Sequence, residues 1–139
     1  MQKKLLFAGE TGLSVQANAG LALLRIFAGI SLMFAHGLGK LPPSPKFVES
    51  TAAMGFPLPL VFSWAAGLSE TVGGLLLAIG LFTRFASFFI MCTMLTALIG
   101  VHFNDPFKQM ELAMLYFFIA FTFFLKGSGD WSVDGIARR

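Results

Sequence analysis

The chain has 139 residues, 56% of them hydrophobic and only 12% charged, with 17 Phe and a formal net charge of +3. That composition excludes a disordered chain and fits poorly with a small soluble domain, whose interior is too small to hide so much apolar surface. The slight positive balance gives no ground for a nucleic-acid partner; the partner it calls for is the lipid bilayer.

At the N-terminus, Lys3 and Lys4 precede an apolar stretch that runs only from Leu5 to Ala8 before Glu10 interrupts the run. A cleaved export signal needs about 7–15 apolar residues there. In spite of Ala17-Asn18-Ala19, which mimics a cleavage site, the segment reads as a short tail or an interfacial helix. The first apolar run then covers 19–38, and three more cover 59–81, 84–102 and 109–125. Each comes near the roughly 20 residues that cross a hydrocarbon layer as helix.

Span one carries Arg25 and His36 eleven residues apart, close to three helical turns and so on one face, with Gly29 and Leu32 between them. Lys40 comes four residues later, at the rim. Ile26 and Ile30 mark the opposite, lipid-like face. In the next loop, Ser44, Pro45 and Gly55 form a start-and-stop pattern. It predicts a short external surface helix over 45–54, with Phe47, Thr51 and Met54 on one face.

Span two holds Glu70 near mid-membrane, beside Ser63, Gly67 and Gly74, small residues that let another helix come close. Arg25 is the expected partner of Glu70 in a structural ion pair, being permanently charged and long. After the turn Gly80-Leu-Phe-Thr83-Arg84, Thr83 is the expected cap of span three. Arg84 and His102 stand eighteen residues apart on one face of that span. Cys92, the lone cysteine, lies between them and reads as a small buried apolar residue. Asn104 or Asp105, ahead of Pro106, is the expected cap of span four. Glu111 opens that span, and the Phe-rich stretch 117–124 reads as lipid-facing filler. Gly127-Ser-Gly129 reads as a helix stop, and the tail 126–139 is polar, with Trp131 suited to an interface.

Short links make successive spans antiparallel neighbours. The expectation is a single all-α membrane domain over 1–139, an up-and-down four-transmembrane-helix bundle. Lys3, Lys4, Arg25, Arg84, Lys126, Arg138 and Arg139 then fall on one side, against Lys40, Lys46 and Lys108 on the other. The positive-inside rule puts both termini in the cytoplasm.

An ionisable residue inside lipid is a functional-site hypothesis by default. By depth, His36, Lys40, His102 and Glu111 fall in the external half with Glu70 beneath them, and these five are the ligand-binding candidates. His36 and Glu70 are the best proton-exchanging candidates. The same cluster is also compatible with a ligand-free polar plug that fixes helix register, or with a proton path. Two His and two Glu on separate helices lack any diagnostic ligand spacing, so no metal is expected.

The motifs, in order, are Leu24-Arg25; His36-Gly37-x-x-Lys40; Gly55-Phe56-Pro57; Glu70-x-x-Gly73-Gly74; Gly80-Leu-x-Thr83-Arg84; His102; Glu111; and Gly127-x-Gly129-x-x-Ser132-x-Asp134. At these depths, over Leu23 to Asp134, the chain resembles the DoxX family of small four-helix bacterial membrane proteins. The resemblance implies an inner-membrane location and a role as membrane subunit or accessory of a quinone-linked or thiol and oxidative-stress redox system. With a single cysteine and no evident cofactor motif, the chain is expected to borrow its electron carrier from a quinone or a redox partner protein. The alternative is a non-catalytic scaffold or assembly factor, and a homo-oligomer is compatible with either.

Overall fold

The computed structural model describes residues 12–139, so the N-terminal segment with Lys3 and Lys4, expected as a short tail or an interfacial helix, lies outside the described residues. Among the described residues the structure is all-helical. Helix α1 covers Val15–Leu32 and continues through a π-helical turn, Met33–Gly37, into a 3-10 turn, Leu38–Lys40. Helix α2 covers Pro45–Ala53, α3 Pro59–Ile79 and α4 Thr83–Thr96, which runs on as a π-helical turn, Ala97–Val101. Helix α5 covers Phe107–Lys126 and α6, in the tail, Val133–Ala137.

Four of these, α1 with its two turns, α3, α4 with its turn, and α5, are long and apolar enough to cross a membrane. The chain is a multi-pass membrane protein. Its outer surface shows what that solvent demands: Leu23, Phe27, Phe34 and Phe103 are each more than 60% exposed, which water would penalise and lipid does not. Ile26 and Ile30 face outward as expected. The Phe-rich stretch splits, with Phe118 and Phe121 outward but Phe123 fully buried. Phe123 joins Leu32, Leu77, Ile90, Met94 and Ala120 in the core that unites all four spans.

Local chemistry sets most of the boundaries. Ser14 caps α1 by accepting from Ala17 N, and Ser44 caps α2 by accepting from Phe47 N, with Pro45 in the first turn. Gly55 (φ 90°) comes after the end of α2, and Gly80 (φ 71°) ends α3 in the left-handed region that favours glycine.

Two expected caps are corrected. Helix α4 starts at Thr83 with Phe82 before it, and the cap comes from the tail. The Asp134 carboxylate accepts from Phe82 N at 2.8 Å and from Thr83 N at 2.9 Å. Helix α5 starts after Pro106 without a side-chain cap, because Asp105 is engaged by His102 Nδ1 at 2.7 Å.

Helix α1 packs on α3, α3 on α4 and α4 on α5. The α1–α3 seam is built on missing side chains. A Cβ at Gly29 would collide with Gly74 O and Ala78, and one at Gly37 would lie 2.6–2.8 Å from the backbone of Glu70 and Thr71. These contacts fix the slide of α1 along α3. Gly29 is level with Gly74 and Ala78, Gly37 with Glu70, and Leu41 with Gly67. The first span therefore ends beside the middle of α3. The quadrant above it, toward the loop end of the bundle, is filled by α2, whose Thr51 accepts a hydrogen bond from the buried Ser63 at 2.8 Å.

The tail docks at the opposite end. Asn18 Nδ2 donates to Asp130 at 3.1 Å and Asn18 Oδ1 accepts from Asp130 N at 2.8 Å.

Candidate functional site

Lys40 and Glu70 are the two expected site residues that the fold brings into contact. Glu70 is 1% exposed, near the midpoint of α3. The Lys40 ammonium donates to both of its oxygens at 2.7 Å. Lys40 arrives there because the π and 3-10 turns carry the end of α1 inward over the glycine seam. The expectation that places it at the rim is corrected. Its head is also 5.8 Å from the centre of the Phe47 ring on α2.

The expected Arg25–Glu70 ion pair is corrected by the same slide. The Arg25 side chain meets the last turn of α3, seven to eight residues beyond Glu70, or about 11 Å along the axis. Its guanidinium donates to Ala78 O at 2.8 Å, Leu77 O at 3.3 Å and Trp131 O at 2.8 Å. Two of these are carbonyls of the last turn of a helix, Leu77 O being shared with the Gly80 N–H, and a cation is favoured at such an end. Asp134, at the N-terminus of α4, is the carboxylate that attracts it. Arg25 and Asp134 thus bracket the α3–α4 turn with the charges that its two helix ends prefer.

The remaining candidates scatter. His36 is half-buried, with its ring edge-on to Tyr116 of α5 at 5.8 Å between centroids. His102 pairs locally with Asp105. It stands nine residues, about 14 Å, beyond Thr93, which donates to Ser69 at the level of Glu70. Glu111 is exposed on α5. The expected five-residue cluster is therefore resolved into one ion pair with a buried carboxylate, one histidine on another flank, and two groups toward the loop end.

A cavity of about 380 Å³ adjoins the Lys40–Glu70 pair, between α3 and α4 and under α2. Its walls are mainly apolar, from Phe47, Phe62, Phe89 and Val101 among others, with the ammonium and carboxylate at one end. Thr51 and Thr93 line it, but both hydroxyls already donate, to Phe47 O and to Ser69 Oγ or Phe89 O. Cys92 lines it too and is exposed, which corrects its reading as a buried filler residue.

Sequence reasoning missed the polar floor made by Ser69 and Thr93, and it missed the cap at Asp134. Periodicity carried a signal for the first: Ser69 precedes Glu70 on a face of small residues. The motif Ser132-x-Asp134 carried one for the second.

Residues 20–103 match the protein-family model described as DoxX. An uncharacterized protein of Haemophilus influenzae is 35% identical over 82% of this chain and 87% of its own length. CatD of Bacillus subtilis, whose name assigns it provisionally as an oxidoreductase, is 30% identical over 83% of this chain and 84% of its own. Inner membrane protein YphA of Escherichia coli is 31% identical over 85% of this chain and 91% of its own. No solved structure matches the chain significantly.

Proposed function

The chain belongs to the DoxX family, and from that premise we propose that it is the membrane subunit or accessory of a quinone-linked or thiol and oxidative-stress redox system. In this reading it sits in a bacterial inner membrane with both termini cytoplasmic. A quinone-like ligand is held at the Lys40–Glu70 end of the cavity, and a partner protein delivers or takes the electrons. The relative named provisionally as an oxidoreductase and the one named an inner membrane protein support the two halves of the reading.

The observation that carries it is a buried carboxylate paired with a half-buried ammonium at the polar end of an otherwise apolar cavity. Sites for small ligands have this character, with mostly apolar walls and a few placed polar groups. The residues fit a quinone. An ammonium has three protons, and Glu70 takes two of those on Lys40, so one is left to donate to a ligand carbonyl. Glu70 holds the Lys40 head group at this depth by accepting from it with both oxygens. The aromatic walls offer faces on which a flat ring can stack. A bound quinone would supply two-electron acceptor chemistry at that end of the cavity.

The test is to extract the protein gently from native membrane and assay the extract for bound quinone and for quinone-dependent redox activity with co-purified partners. The wild type is expected to retain both. The double variant Lys40→Met/Glu70→Leu is expected to fold and to lose both. Finding neither in the wild type would sink the reading. Undiminished activity in the double variant would assign the pair to bundle register alone, as a scaffold requires.

A further inference from the structure

The cavity has a side opening. Phe62 and Ala65 on α3, Phe89 and Cys92 on α4, and Val101 in the turn after α4 line it and are all exposed on the outer surface of the bundle. Cys92 stands at the midpoint of the span Thr83–Val101, so this opening lies at the depth of the hydrocarbon centre. Toward the tail end the two helices close, with Thr93 bonded to Ser69 and Ile90 packed against Gly73. Toward the loop end α2 roofs the space, anchored by Thr51 on Ser63 and by Met54 against Gly100. The polar end, Lys40 and Glu70, lies on the inner side of α3, away from the opening.

We infer that this cavity is loaded sideways from the bilayer between α3 and α4, and that its ligand is an amphiphile with a long apolar tail. The polar head reaches the Lys40 ammonium, and the tail leaves past Phe62, Ala65, Phe89 and Cys92 into lipid. The inference rests on the site proposed above and adds the route and the tail. A water-soluble substrate is excluded by it, because such a molecule would have to cross the α2 roof or the hydrocarbon.

Cys92 is the only cysteine, so the native chain carries its own reporter. The experiment uses the full chain in phosphatidylcholine nanodiscs and follows the rate of Cys92 alkylation. N-phenylmaleimide, which partitions into lipid, is expected to react. A negatively charged thiosulfonate is expected to react at least about a hundredfold more slowly than it does with the same chain unfolded, the penalty for carrying an ion to the bilayer centre. A fully ring-substituted benzoquinone with a decyl tail, which does not itself alkylate thiols, is expected to slow the maleimide several-fold. Tetramethylbenzoquinone at the same membrane concentration is expected to leave the rate unchanged, since it has no tail to cover Cys92.

Ready reaction with the charged reagent would mean a water-filled approach and overturn the inference. So would equal protection by the tailless quinone, or no protection by any tailed probe. Protection by dodecanol without protection by the decyl quinone would uphold the lateral route while overturning the quinone reading. Ala65→Phe, which narrows the opening without touching Lys40 or Glu70, is expected to abolish protection.

Discussion

Lys40 and Glu70 show how a single contact can carry a large free-energy consequence. Removing one member of a buried ion pair strands the other, whereas replacing both with apolar groups of similar size is close to neutral. Lys40→Met is therefore expected to destabilise the bundle by about 3 kcal/mol, and adding Glu70→Leu to restore most of it. Thermal unfolding in mild detergent reads this; equal melting of the single and double variants would show that the pair is uncoupled. Asp130, in the tail, gives a pH-dependent counterpart. The Asn18 amide above all, then the Leu13 N–H and the Arg138 charge, hold its carboxyl below the usual carboxylate range. Its folded pKa is the lower one. Its contribution to docking is thus complete above the ordinary carboxylate pKa and is lost as pH falls through the lowered value. Hydrogen exchange at the Asp130 amide, corrected for intrinsic rate, is expected to lose protection over that acid range. Asp130→Asn is expected to remove the pH dependence.

Among the elements, the α1–α3 seam separates two glycines that look alike in sequence. At Gly29 a methyl group meets the α3 backbone, while at Gly20 nothing lies within 4 Å. Gly29→Ala is expected to cost about 1–3 kcal/mol by forcing the helices apart. Gly20→Ala is expected to be neutral or to stabilise by up to about 1 kcal/mol, the difference in helix propensity. Because the same seam delivers Lys40 to Glu70, Gly29→Ala is also expected to weaken ligand retention. The Asp134 cap is worth about 1 kcal/mol, so Asp134→Ala is expected to lower the unfolding temperature modestly.

These contrasts mark the limits of what a sequence makes legible. Spans are readable because lipid demands long apolar runs, and α2 is readable from Ser44, Pro45 and Gly55. Glu70 stands out because a mid-span acid is costly. The slide of α1 past α3 is not readable. Aligning span ends assumes equal depth, which pairs Arg25 with Glu70 and puts Lys40 at the rim, whereas a glycine seam sets its own register. Helical spacing tells which residues share a face on one helix. It does not tell which neighbour that face meets, and so it gathers His36, His102 and Glu111 into a cluster that the bundle keeps apart.

At the scale of the whole molecule, the two ends of the bundle are held by different means. The loop end has α2 packed on α3 over the cavity. The tail end is clamped by polar contacts from residues far apart in the chain: Arg25 on the carbonyl of Trp131, Asn18 on Asp130, Asp134 on the start of α4, and Arg84 on the Leu125 carbonyl. Deleting residues after Gly127 is expected to loosen that end first, with faster hydrogen exchange at Phe82 and Thr83 than at Glu70. The glycine seam has a consequence for biogenesis as well. Lys40 and Glu70 belong to consecutive spans and meet at one depth. Glu70 lies mid-span and meets its partner only at the end of the preceding span, so the two spans are expected to leave the translocon together as a paired hairpin. Glycosylation mapping of nascent chains would read this as Lys40-containing first spans that stay unanchored until α3 has been synthesised.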